Sequence, residues 1–186
     1  MRAKDRLRAE GLAARAALTD APARSAAACA HLLDWLSAHA PRAVLAGYVP
    51  IRAEADPRPA LAGHRGPTCL PVVAGPGRAL DFRLWRPGEA LEPGAFGTKQ
   101  PGVGAKLVQP QVVIVPLAAF DRRGGRVGYG GGYYDRSLEK LRAAGPVLAV
   151  GLGFAAQRVE SVPEAAHDQP LDLIATEDGI LNPVRS

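Results

Sequence analysis

The chain has 186 residues, 47% of them hydrophobic and 22% charged, proportions ordinary for a globular protein and a length that suits one domain with its own core. Its net charge of +5 points to an anionic partner, and the scattered basic residues, with no Lys/Arg block, favour a small polyanion over a nucleic acid. Cys29 and Cys69 lie outside any CxxC or zinc spacing, no apolar run can span a bilayer, and the start MRAKDRLRAE lacks a signal-like apolar region, so a soluble, cytoplasmic protein is expected.

Residues 2–18 are predicted helical, Ala- and Arg-rich with Leu7 and Leu18 as sparse apolar positions. Thr19 or Asp20 caps a second helix with Pro22 in its first turn; it carries Leu32, Leu33, Trp35 and Leu36 and stops before Pro41. AVLAGYVP (43–50) reads as a strand, DPRPALAGH (56–64) as a short helix, and TCLPVV (68–73) and LDFRLW (80–85) as strands flanking the turn AGPGR. Residues 86–106 form a long Gly- and Pro-rich loop, of a length that usually serves function. VVIVP (112–116), VLAVGLG (147–153) and LDLIATE (171–177) are further strands, with a helix from Gly132 to Ala144. Strands that are apolar throughout and alternate with helices argue for an α/β fold with a mostly parallel sheet covered on both faces. Ligands of such sheets bind beyond the carboxyl ends of the strands, where VVIVP leads.

The segment GGRVGYGGGYYDRSL puts six glycines among the nine residues from Gly124 to Gly132, just before a helix. Glycine permits positive φ and close backbone approach, successive N–H groups can cradle an anion, and the helix N-terminus adds positive potential. Arg122, Arg123 and Arg126 add full charges, so a phosphate site, and with it a nucleotide, is expected. No Gly-Lys-Ser/Thr closes a Walker A loop, and the dinucleotide spacing fails at Tyr133. Asp135, on the first helical turn, serves either the helix dipole or a Mg²⁺ ion beside phosphates, with Asp172 a possible second ligand. GLGFAA also fits G-x-G-x-x-A, with Asp172 at about the right spacing downstream in sequence for a ribose contact, but Pro163 and Pro170 interrupt the crossover helix it needs, so a strand-end turn is expected.

VPLAAFDRRGGRVGYGGGYYDR resembles the 5-formyltetrahydrofolate cyclo-ligase (methenyltetrahydrofolate synthetase) family. KDRLR, YVPIRAEADPRP, PGAFG and LDLIATE look like further landmarks of that family, in order, over nearly the whole chain. The resemblance implies ATP-dependent closure of 5-formyltetrahydrofolate to 5,10-methenyltetrahydrofolate, with release of ADP and phosphate. It implies a three-layer α/β fold similar to the NagB/RpiA/CoA-transferase group. It assigns Lys4 and Arg8 to the ATP phosphates; four residues apart, they share a helix face that would otherwise read as merely solvated. It assigns Arg126, Val127, Gly128, Tyr129, Gly130, Gly131, Gly132, Tyr133 and Tyr134 to the ATP loop, its centre from Tyr129 to Tyr133 also touching folate, with Arg126 and Tyr133 closest to catalysis. Ile51 and Glu54 match folate-binding positions, and Glu54 suits a pair of pterin N–H donors. Phe96 matches a folate-side aromatic, with core packing as the alternative. Asp135 and Asp172 match the Mg²⁺ ligands. Two departures stand out: Gly131 replaces a basic residue found in some relatives, and FGTKQPG, with Thr98, Lys99 and Gln100, replaces a more apolar segment.

The reaction so implied needs alignment and charge neutralisation more than acid–base groups, in keeping with the lack of a Ser-His-Asp or Cys-His pattern. His31, His39, His64 and His167 are scattered, and a structural or surface role is expected for each. A monomer without nucleic-acid or membrane partners, acting on a folate that could carry a polyglutamate tail, is expected. The competing readings are a kinase or NAD(P) enzyme on a doubly wound sheet, and a basic RNA-binding module without catalysis.

Overall fold

A computed structural model describes residues 3–184. Helices α1 (Ala3–Ala16) and α2 (Ala21–His39) lead into β1 (Leu45–Ala46), α3 (Arg58–Gly63), β2 (Thr68–Val73) and β3 (Leu80–Leu84). A small hairpin, β4 (Glu92–Pro93) with β5 (Lys99–Gln100), precedes β6 (Val112–Pro116). A second hairpin, β7 (Ala119–Phe120) with β8 (Arg126–Val127), precedes α4 (Tyr133–Ala144). Then come β9 (Leu148–Leu152), β10 (Leu173–Thr176) and β11 (Gly179–Leu181).

The central sheet has seven strands in the order β11-β10-β9-β6-β1-β2-β3. From β10 to β2 every neighbouring pair is parallel, and β11 and β3 close the edges antiparallel. Side chains alternate across it, as the period of a strand requires. Leu45, Val112, Ile114, Val150 and Ala175 join Leu32 and Leu36 of α2 and Leu61 of α3 in one core. Ala46, Val113, Val115, Ala149 and Ile174 join Leu138 and Leu141 of α4 in the other. Because both faces are buried, these strands carry apolar residues without interruption.

The two central neighbours β1 and β6 lead in opposite directions. β1 is followed by β2 on one side and β6 by β9 on the other. Such a reversal opens a crevice beyond the strand ends, because the two chains leave the sheet on diverging paths. β1 pairs over only two residues, shorter than the predicted 43–50 strand. Past Ala46 the chain curls back, held by the Tyr48 hydroxyl donating to the Ala55 carbonyl at 2.6 Å.

Other local differences have physical causes. Asp20 precedes α2 but does not cap it, because its carboxylate is taken by Arg24 at 2.7 Å. Gly124 and Gly125 belong to the β7–β8 turn, which the buried Asp121 organises by accepting from the Arg123, Gly125 and Val162 N–H groups. GLGFAA runs from β9 into a single 3₁₀ turn, with the Gln157 amide donating to the carbonyls of Leu117 and Ala118. No crossover helix follows it among the described residues.

Candidate active site

A cleft of about 760 Å³, within the usual range for small-molecule sites, lies at the carboxyl end of the sheet. Val49 follows β1 into its floor and Pro116 ends β6 there. The glycine loop Gly128–Gly132 forms one wall. Gly130 (φ 93°) and Gly132 (φ 64°) occupy the left-handed region, which explains glycine at both. Gly132 is the N-cap of α4, and no side chain caps that end. The first N–H groups of the helix therefore remain available to a bound anion.

α1 supplies the cations opposite. Gly11 lets the helix lie directly on the Ala118 carbonyl, where any Cβ would collide. That approach brings Lys4 and Arg8 to the cleft. Arg8 donates through Nε to the Gly128 carbonyl at 2.6 Å and pairs with Asp5 at 2.7 Å, fixing the start of the loop. Lys4 forms an ion pair with Asp168. Asp168 also accepts from the Ala165 N–H at 2.7 Å. Burial raises the Asp168 carboxyl, but Lys4, the Ala165 N–H and His167 outweigh burial and hold it below its ordinary value.

Asp135, on the first turn of α4, accepts from Arg126 at 2.7 Å and from the Gln169 N–H at 3.1 Å. That second bond brings the segment carrying Asp168 against Asp135. Arg126 is nearly buried and also donates to the Gln169 carbonyl. Burial lowers its pKa, with Asp135 opposing the shift. Its observed partners make it a brace between α4 and the Asp168 segment.

The predicted second carboxylate, Asp172, does not join Asp135. It lies just before β10 and accepts from Arg142 at 2.7 Å and from the Ala149 N–H at 2.8 Å, at the amino end of the parallel strands. Arg142 stands seven residues beyond Asp135, about 10 Å along the α4 axis. Asp168 takes the cleft position, four residues earlier in an irregular segment that carries no periodic signal. Arg123 is likewise drawn off, to Asp121 and Ser161. Among the described residues no group of three or more His, Cys, Asp or Glu side chains could hold a metal alone. Two carboxylates beside a glycine loop still suit Mg²⁺, which commonly takes one or two carboxylates together with phosphate oxygens.

At the other end of the cleft stand Tyr48, Ile51, Glu54 and Tyr129, and Phe96 also lines it. Glu54 is buried, 8% exposed, and accepts from the Ile51 N–H at 2.8 Å. Burial raises its pKa, opposed by the Ile51 N–H, the Tyr129 hydroxyl, Arg15 and Arg52. Phe96 is 73% exposed on the tip of the β4–β5 hairpin, which excludes core packing. Its ring lies 5.9 Å from that of Tyr133, over which Arg136 sits at 5.2 Å. Tyr134 packs partly into the core, and Val127 is fully in a core cluster with Leu7, Ala119 and Val162.

The model of the 5-formyltetrahydrofolate cyclo-ligase family matches residues 1–177. The chain belongs to that family. A Haemophilus influenzae 5-formyltetrahydrofolate cyclo-ligase is 34% identical over 96 residues, covering 50% of this chain and 51% of its own. The Escherichia coli K12 cyclo-ligase is 33% identical over 114 residues, 59% of this chain and 60% of its own. The chain thus spans about half to three fifths of the length of these relatives. The solved Aquifex aeolicus 5,10-methenyltetrahydrofolate synthetase superposes with a TM-score of 0.75 at 27% identity, covering 98% of this chain and 94% of its own. The Mycoplasma pneumoniae synthetase shares the fold, with a TM-score of 0.73 at 21% identity.

Proposed function

We propose that this cyclo-ligase family member closes 5-formyltetrahydrofolate to 5,10-methenyltetrahydrofolate, using ATP and Mg²⁺ and releasing ADP and phosphate. The observation that carries this reading is one cleft with two chemically distinct ends. One end pairs a glycine loop and a bare helix N-terminus with Lys4, Arg8, Asp135 and Asp168. The other offers a buried carboxylate, Glu54, near Tyr129 and Tyr48, and the exposed ring of Phe96 lines the same cleft.

In the reaction the N5-formyl oxygen takes the γ-phosphoryl group, N10 attacks the formyl carbon, and phosphate leaves as the ring closes. An amide oxygen is a poor nucleophile, so the protein's task is to align it and to neutralise charge. The Gly128–Gly132 N–H groups and the α4 N-terminus hold phosphate oxygens. Lys4 exchanges Asp168 for phosphate, and Arg8 holds the loop in place. Asp135 and Asp168 would hold Mg²⁺, which when bound offsets phosphate charge and orients the transferred group. Arg126 keeps Asp135 in position from behind. Glu54 accepts from pterin N–H groups, and Phe96 and Tyr133 offer ring faces to the folate.

We take the fold to be of the NagB/RpiA/CoA-transferase kind, and the chain to act as one domain, a cytoplasmic monomer without a nucleic-acid partner. No helix among the described residues is long and apolar enough to cross a membrane. The test is the near-ultraviolet absorbance of the methenyl product on mixing the protein with ATP, Mg²⁺ and 5-formyltetrahydrofolate. Product in the complete mixture, and none without ATP, is expected; no product overturns the proposal.

A further inference from the structure

Lys4, Arg8, Gly11 and Arg15 recur along α1 at i, i+4, i+7 and i+11, one stripe of the helix. Lys4 and Arg8 reach the nucleotide end of the cleft. Arg15, about 16 Å further along the axis from Lys4, passes beneath the folate end. It is only 3% exposed, and among the described residues it forms no salt bridge. Its Nη1 is buried without a hydrogen-bond partner. Burying a guanidinium on these terms costs stability, so a purely stabilising role does not account for it.

What Arg15 does hold is informative. Its Nη2 donates to the Arg52 carbonyl and to the Tyr129 hydroxyl, the latter at 2.8 Å. Arg52 (φ 48°) and Ala53 (φ 61°) are consecutive non-glycine residues in the left-handed region, a strained arrangement that persists only when its surroundings enforce it. The turn is closed by the Glu54 N–H on the Ile51 carbonyl at 3.0 Å and the Ile51 N–H on the Glu54 carboxylate. The guanidinium groups of Arg15 and Arg52 each lie 6.0 Å from the centroid of the Tyr129 ring. Arg15 therefore ties together the strained turn that carries Glu54 and the aromatic residue of the glycine loop that faces it.

We propose that Arg15 is a positioning residue for the folate: it locks the Ile51–Glu54 turn and Tyr129 so that the Glu54 carboxylate meets the substrate in one orientation. This assignment rests on the cyclo-ligase reading. It is tested by steady-state kinetics of Arg15→Met, Tyr129→Phe and Glu54→Gln, singly and combined. Arg15→Met should raise KM for 5-formyltetrahydrofolate about tenfold and change KM for ATP less than about twofold. In the Glu54→Gln background the same change should add less than about twofold, because residues acting through one another are not additive. Arg15→Lys should recover part of the folate KM, since a single ammonium nitrogen can donate to both acceptors as Nη2 does.

Equal rises in both KM values, or full additivity with Glu54→Gln, would overturn the assignment. Should Arg15→Met fail to fold, Tyr129→Phe carries the test: a folate-selective rise coupled to Glu54→Gln supports the proposal, and its absence refutes it. The wild-type control separates the two levels of the argument. Wild-type turnover with an unmoved folate KM in the variants removes Arg15 alone, whereas no wild-type turnover removes the cyclo-ligase reading and Arg15's role with it.

Discussion

Replacing Asp168 and Asp172 by asparagine, one at a time, separates a site carboxylate from a structural one. Their side chains are similarly accessible, at 22% and 27%. Asp168 faces the cleft, whereas Asp172 is held by Arg142 and the Ala149 N–H at the far end of the sheet. Two unit charges about 4 Å apart at an effective dielectric near 20 interact by roughly 4 kcal/mol. Water replacing the lost oxygen recovers part of this, leaving about 2.7 kcal/mol, or about a hundredfold in kcat/KM for ATP. The structural cost at Asp168 is small, since a partly exposed ion pair contributes about 0–1 kcal/mol. Asp172→Asn should do the reverse. It weakens two charge-assisted hydrogen bonds and lowers stability by about 1–3 kcal/mol, while turnover stays within about twofold of wild type. The assays are initial rates of methenyl formation across a Mg²⁺ titration, with urea unfolding of each variant. Equal loss of turnover from the two substitutions, or normal turnover in Asp168→Asn, would refute the assignment of Asp168 to the site.

Glu54 couples the cleft to pH. Its raised pKa means that its contribution to stability is present below the ordinary carboxylate value and is lost as pH rises through the raised one. Glu54→Gln should therefore raise the melting temperature at neutral pH and flatten its pH dependence, while increasing the folate KM; an unchanged melting profile argues against burial as the cause. Asp168 has the opposite sign: its lowered pKa gives stability above the ordinary value that is lost as pH falls through the lowered one, so Asp168→Asn should soften the acid limb of the melting curve. Asp121→Ala leaves three N–H groups of the β7–β8 turn and its neighbours without their acceptor and should cost about 3–5 kcal/mol, read from urea unfolding. Phe96→Ala, on an exposed hairpin tip, should leave the melting temperature within about 1 °C of wild type while raising the folate KM, because its exposed ring contributes little to the core; a large fall in melting temperature would place the ring in the core instead.

Features set by local chemistry were readable along the chain. TCLPVV and VVIVP form β2 and β6 within the predicted bounds, since a short run of β-branched and apolar residues needs only two covered faces to become a strand. The glycines before YYDR mark the loop and the start of α4, because positive φ and a bare helix end are properties of a few successive residues. Lys4 and Arg8, four apart, share a helix face whatever surrounds them. Tertiary structure decided which charges meet. Asp168 and Asp172 are four residues apart, yet Asp172 sits at the amino end of β10 against Arg142 and the Ala149 N–H, while Asp168 stays in the irregular segment that lines the cleft. Gly124 and Gly125 look continuous with the Gly128–Gly132 loop until Asp121 folds them into a separate hairpin turn. Arg15, an unremarked position in an Ala- and Arg-rich helix, gains its meaning only from a strained turn far along the chain. Periodicity and backbone preference act within a few residues of each other; the pairing of distant charges depends on sheet order and on which end of a strand each one reaches, and those are set only when the whole core packs.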